Sequence, residues 1–63
     1  DAALDFAQQA IDRNPYLGTA YVMSARLLLS MDRPEDAAQT LEQGLKLNPH
    51  HSQMESLLKI VRG

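Results

Sequence analysis

Residues 34–49 read PEDAAQTLEQGLKLNP, and residues 1–15 read DAALDFAQQAIDRNP. Both stretches end in Asn-Pro, and Pro15 and Pro49 lie 34 residues apart. When the two stretches are laid over each other, small and apolar residues recur at the same distances before the proline. Self-similarity at a fixed period of roughly 20 to 50 residues is typical of stacked structural units. The sequence therefore predicts two copies of one element.

The spacing shared by the two copies is defined by small or apolar residues and the final proline. It reads Ala3-x3-Ala7-x2-Ala10-x4-Pro15 in the first copy and Ala37-x3-Leu41-x2-Gly44-x4-Pro49 in the second. Small residues where helices cross allow the helix axes to approach closely, so that ridges of one helix enter grooves of the next. Because Gly44 costs about 1 kcal/mol of helix propensity relative to alanine, we expect it to be compensated by close contact with a facing helix.

Composition and proline positions predict an all-α chain. Ala and Leu far outnumber the β-branched residues Val, Ile and Thr, a balance that favours helices over strands. Proline lacks an amide donor and disfavours helical geometry in the preceding residue, so Pro15, Pro34 and Pro49 divide the chain into four segments. In each segment the apolar residues gather on one side at about 100° per residue. We predict four helices, near residues 2–13, 18–31, 34–47 and 52–62.

The ends and faces of these helices give two further expectations. Linkers of about two to five residues make consecutive helices lie antiparallel and side by side. Asp32 is expected to cap the third helix, with Pro34 in its first turn and Glu35 completing a capping box. The second helix is apolar around most of its circumference, which predicts that it contacts neighbours on more than one side.

Length, charge and composition exclude several classes of protein. The chain has 63 residues, a formal net charge of −2 and no Cys. So short a chain has little interior for a core and a catalytic cavity together, and it lacks the basic surface that nucleic acid requires. No apolar run approaches the roughly 20 residues that span a bilayer. We predict a soluble, non-enzymatic protein of the bacterial cytoplasm or periplasm, with no cofactor, no nucleic-acid partner and no membrane insertion.

Two histidines are the only candidates for a metal site. His50 and His51 are adjacent, so their rings point in different directions and cannot readily chelate one ion. No carboxylate stands beside them at ligand spacing; the nearest is Glu55. We therefore expect solvated turn histidines and no metal site. No Ser-His-acid spacing and no glycine-rich phosphate loop is present, so the sequence offers no catalytic residue.

The repeat resembles the tetratricopeptide repeat family, whose unit is a helix-turn-helix of this length. One full unit is matched by Tyr21-x2-Ser24-Ala25-x2-Leu28, followed by Ala37, Leu41, Gly44 and Pro49. The resemblance implies a single domain over residues 1–63, built as the second half of a unit (1–15), one full unit (18–49) and a terminal helix (50–63). The terminal helix departs from the pattern, since the register positions of Tyr21, Ser24, Ala25 and Leu28 hold Glu55, Leu58, Lys59 and Arg62. These charges suggest a helix that caps the stack and meets water.

The resemblance also implies a protein-binding function. In this family the first helix of each unit lines a concave groove that holds a peptide, and the matching positions here are Thr19, Val22, Met23, Arg26 and Ser30. They imply a mainly apolar ligand that is oriented by Arg26. The alternative is that Val22 and Met23 pack against flanking helices while Arg26 is merely solvated.

A second functional class is structural. Repeat units do not bury their apolar faces alone, so the chain is a candidate for forming a homodimer or for stacking on further repeats. The expected apolar edges are Leu4 and Phe6 at one end, and Met54, Leu57 and Ile60 at the other.

Overall fold

The computed structural model describes residues 2–63 as four α-helices joined by short turns. They are α1 (Ala2–Arg13), α2 (Gly18–Ser30), α3 (Pro34–Leu47) and α4 (Ser52–Arg62). Asp1, the first residue of the predicted half unit, lies outside the described residues. No strand occurs in residues 2–63, so the all-α prediction is confirmed. Three helices have the predicted bounds, and α2 ends one residue earlier than expected.

The helices pack side by side into a slab of 28 × 26 × 14 Å, with α2 at its centre. α1 contacts α2 alone, α3 lies between α2 and α4, and α4 also contacts α2. The buried core consists of Tyr21, Val22, Ala25, Leu28, Ala37, Leu41 and Met54. Because α2 touches all three other helices, the prediction from its broad apolar side is confirmed.

Gly44 lies at a point where α2, α3 and α4 approach one another closely. A Cβ atom placed on it would lie 2.5 Å from Met54 Sδ and 2.7 Å from Tyr21 Cγ. Contacts this short do not occur for real Cβ atoms, so α2 and α4 both reach positions over α3 that only glycine permits. The expected close contact at Gly44 is confirmed.

Tyr21 connects this crossing to the turn before α2. Its side chain is 1% exposed, and its hydroxyl donates a 2.8 Å hydrogen bond to the carbonyl oxygen of Pro15. Burial raises the pKa of the Tyr21 hydroxyl, because desolvation disfavours the phenolate. One residue thereby anchors the α1–α2 turn to the surface of α3.

The turn between α2 and α3 corrects the prediction for Asp32. Asp32 has a φ of 61°, and the Arg33 amide donates to the Leu28 carbonyl at 2.9 Å while the Asp32 amide donates to the Leu29 carbonyl at 3.0 Å. This pair of bonds is a Schellman motif that terminates α2. An N-cap residue needs extended backbone, which Asp32 does not have. The residue before α3 is instead Arg33, without a side-chain cap, while Pro34 begins the helix as predicted.

The turn before α4 corrects the prediction for His51. His50 is exposed, as expected, but His51 is half-buried. The His51 Nδ1 accepts a 3.3 Å hydrogen bond from the Met54 amide, and its ring lies against Gly18 at the start of α2. Imidazole caps a helix here because the absence of a side chain on Gly18 leaves room for the ring. The contact positions the start of α4 beside the start of α2.

The expectation that Met54 lies at an exposed apolar edge is wrong. Met54 is fully buried, because α4 packs on α3 with this side chain directed at the Gly44 crossing. Leu4 and Leu57 are half-buried against the core. Phe6 and Ile60 are each 72% exposed, so the two remaining apolar edges lie on α1 and α4.

Candidate peptide-binding groove

A groove of about 220 Å³ runs between the neighbouring helices α2 and α4. Its lining, called here the α2–α4 groove, consists of Val22, Arg26, Ser52, Gln53, Ser56, Leu57 and Ile60. Val22 and Arg26 on α2 stand 34 residues before Ser56 and Ile60 on α4, so residues in the same repeat register face the groove from both helices.

The structure brings together two of the five residues that sequence assigned to a peptide site. Val22 is 6% exposed and lies in the floor of the groove, whereas Arg26 is exposed. Thr19, Met23 and Ser30 are exposed on α2 and do not line the groove. The Ser30 hydroxyl donates to the Leu27 carbonyl at 2.8 Å, so it is engaged within its own helix.

The lining residues of α4 were not identified from the sequence, although the repeat contains the signal that finds them. Adding 34 to the positions Thr19, Val22, Met23 and Arg26 gives Gln53, Ser56, Leu57 and Ile60. All four α4 residues line the groove. Adding the repeat length of 34 residues to the positions of the predicted peptide site would therefore have predicted the side of the groove that α4 forms.

Arg26 determines the electrostatic character of the groove. It is the one charged side chain in the lining, and it forms no ion pair within residues 2–63. By contrast, Arg62 at the end of α4 pairs with Glu42 on α3. The remaining polar lining consists of two serine hydroxyls and one glutamine amide. An unpaired guanidinium beside apolar side chains can hold a carboxylate while an apolar side chain of the same ligand is buried.

Two larger hollows are more polar. One of about 460 Å³ lies between α3 and α4 and is lined by Pro34, Glu35, Ala38, Gln39, Glu42, Val61 and Arg62. One of about 510 Å³ lies along α3 and is lined by Gln39, Glu42, Gln43, Lys46 and Leu47. The α2–α4 groove differs from both because Arg26 is the one charged side chain in its lining and Val22, Leu57 and Ile60 give it an apolar surface.

Within residues 2–63, no three His, Asp or Glu side chains are placed to hold a metal ion. In the same part of the chain, every helix is too short or too polar to cross a lipid bilayer.

Comparison with known proteins assigns the family. A family model described as tetratricopeptide repeat matches residues 1–60. No curated protein and no solved structure gives a significant match. The matched range contains the 34-residue repeat, the Gly44 crossing and most of α4. The chain therefore belongs to the tetratricopeptide repeat family.

Proposed function

We propose that the chain binds a segment of another protein in the α2–α4 groove. Tetratricopeptide repeats are in general non-catalytic modules for protein–protein interaction. The observation that carries the more specific proposal is Arg26, which forms no ion pair within residues 2–63 and lies beside an apolar floor between α2 and α4. The function requires no catalytic residue, metal or cofactor.

Binding draws on apolar burial for affinity and on Arg26 for orientation. Ile60 is 72% exposed at the edge of the groove, with Val22 and Leu57 beside it. Covering an exposed side chain of this size contributes about 1.5–3 kcal/mol before the ordering costs of association. Arg26 attracts an acidic group on the ligand, and salt weakens that attraction because the side chain is exposed.

Peptides selected against the immobilised chain from a random library provide the test. We expect the selected sequences to combine apolar residues with Asp or Glu. Arg26→Glu and Ile60→Asp should each weaken binding of the selected peptide by about tenfold or more, since reversing the charge or placing an acid on the apolar edge opposes the ligand. Titration calorimetry measures the change, and circular dichroism checks that the variants are folded.

Phe6→Asp is the matched control, because Phe6 and Ile60 have equal exposure and lie on different surfaces. It should leave the affinity unchanged. Wild-type affinity in both groove variants would exclude this groove. If Met23→Ala alone weakened binding, the peptide would instead lie along the face of α2 that sequence analysis identified.

A further inference from the structure

The side chain of His51 is held between the starts of α2 and α4. Its Nδ1 atom accepts the 3.3 Å hydrogen bond from the Met54 amide, while its Cδ2–Nε2 edge lies against Gly18. The equivalent position before α2 holds Leu17, which supplies no side-chain cap. The start of α4 therefore depends on an imidazole, whereas the start of α2 does not.

The capping hydrogen bond requires the neutral form of the His51 ring. Nδ1 accepts a hydrogen bond only when it carries no proton, so the proton of the neutral ring is on Nε2. Protonation of Nδ1 turns it into a second donor that faces the Met54 N–H. It also places a cation at the N-terminal end of α4, where the helix dipole is positive. Histidine changes charge between about pH 5 and 8, so the stabilisation by this cap is present at neutral pH and lost as the pH falls.

The surroundings of the ring provide no ionic partner for its charged form. The titratable or charged side chains on the elements around it are Tyr16, Tyr21, Lys46, His50 and Glu55. Glu55 is the one carboxylate among them; it is exposed, and within residues 2–63 it forms no ion pair with His51. The first turn of α2, on which the ring packs, contains no acidic residue. The added charge is therefore not compensated.

The part of α4 that His51 caps belongs to the α2–α4 groove. Ser52, Gln53 and Ser56 are three of the lining residues, and all lie in the first two turns of α4. The side chain of Met54 is 0% exposed at the Gly44 crossing, which holds α4 on α3 independently of the cap. Loss of the cap therefore loosens the first turn of α4 and leaves the rest of the helix packed.

We propose that protonation of His51 releases the first turn of α4 from α2 and thereby weakens ligand binding in the α2–α4 groove. The chain then binds its partner more tightly at neutral than at mildly acid pH. The part of the proposal that concerns ligand binding rests on the function proposed above.

A pH titration of the isotopically labelled full chain, followed by NMR from about pH 7.5 to 5, tests the release. We expect the amide resonances of Gly18, Ser52 and Met54 to follow the titration of the His51 ring. The Leu28 amide, at the other end of α2, should stay unchanged.

His51→Asn and His50→Asn are the matched pair of variants. Asparagine caps helices without titrating, so the Met54 amide of His51→Asn should stay constant over this range. His50→Asn removes the exposed neighbouring imidazole and should keep the wild-type response. On the same acidification, the Tm of the wild-type chain and of His50→Asn should fall by about 4–8 °C more than that of His51→Asn, as expected for one capping interaction in a small domain.

The peptide selected against the chain reports on the groove. Between the two pH values its affinity should fall by about threefold or more in the wild-type chain relative to His51→Asn, because the binding-competent form is less populated. Equal losses would overturn the coupling to the groove. Failure to select any peptide would contradict the proposed function and with it this coupling, whereas the NMR and Tm measurements still decide the release.

Two results would overturn the release itself. One is a Met54 amide that does not follow the His51 ring in the wild-type chain. The other is a wild-type pH response in His51→Asn. If His51→Asn does not fold, the NMR titrations of the wild-type chain and of His50→Asn decide the question.

Discussion

The helices α2 and α4 occupy equivalent positions in the repeat but have different surroundings. Both reach the same glycine, α2 through Tyr21 and α4 through Met54. α2 is covered by three helices, whereas α4 is covered by two. At equivalent positions α2 therefore has buried Tyr21, and α4 has exposed Glu55. The comparison shows that register sets where a residue lies, while the number of neighbouring helices decides whether it must be apolar.

The two helices also differ in the residues that begin and end them. α2 begins after Leu17, which supplies no side-chain cap, whereas α4 begins after His51, which does. α2 ends with Asp32 at a φ of 61°, while α4 is followed by Gly63 at a φ of 77°. α4 thus has a capping side chain before its first turn and a glycine in the left-handed conformation after its last turn, whereas α2 has neither. Packing compensates α2 for its termini, since its sides are the more deeply buried.

A substitution at Gly44, the residue that both helices contact, disturbs α2 and α4 together. Gly44→Leu should destabilise the fold by about 3 kcal/mol or more, because even a Cβ there collides with Tyr21 and Met54. Thermal denaturation should show a loss of more than roughly 12 °C in Tm for a chain of this size. Gln43→Leu adds the same side chain at an exposed neighbouring position and should change Tm little. A Gly44→Leu protein that melts within a degree or two of the parent would contradict close packing at this crossing.

The second prediction exchanges the side chains at the equivalent positions 21 and 55. Tyr21→Glu should cost about 3–5 kcal/mol, because it removes a buried ring and its bond to Pro15 and buries a carboxylate. Glu55→Tyr changes an exposed residue and should stay within about 0.5 kcal/mol. Urea denaturation of both variants gives the two free energies of unfolding. Similar losses in the two would mean that α4 is as enclosed as α2.

The smallest expected effect is at Asp32, which follows the end of α2. Asp32→Gly should stabilise the chain by roughly 0.5–1 kcal/mol, because it relieves a side chain from the left-handed conformation that Gly63 adopts without strain. Asp32→Ala keeps the Cβ atom and should give no gain. Urea denaturation distinguishes them. Equal stability of the Gly and Ala variants would show that backbone strain at residue 32 is not what limits the end of α2.

Much of the fold follows from short-range features of the sequence. The prolines and the helical periodicity place all four helices within a residue of their observed ends. The repeated small residues identify Gly44 as a point of close contact. Asp32 and His51 were misassigned because each stands between two helices, and spacing along the chain does not show which of the two a turn residue serves. Asp32 belongs to the end of α2, and His51 fits its position only because Gly18 leaves space.

The sequence predicted the α2 side of the candidate groove but not the α4 side. The resemblance to the family directed attention to α2, and so to Val22 and Arg26. The wall formed by α4 depends on which helix lies beside α2, a contact between residues far apart in sequence. Met54 shows the same limit, since a periodic apolar residue near a chain end was expected at an edge and lies in the core.

The sequence by itself determined the four helices, their antiparallel order, the 34-residue period and the need for glycine at position 44, because propensity, proline geometry and periodicity act over a few residues. Only the tertiary structure decided which faces are covered. It buried Met54, which the sequence had placed at an edge, and brought Arg26 beside α4 without an ionic partner within residues 2–63. Coverage depends on which helices meet: the broad apolar side of α2 predicted more than one neighbour, but no local pattern states which helices those neighbours are.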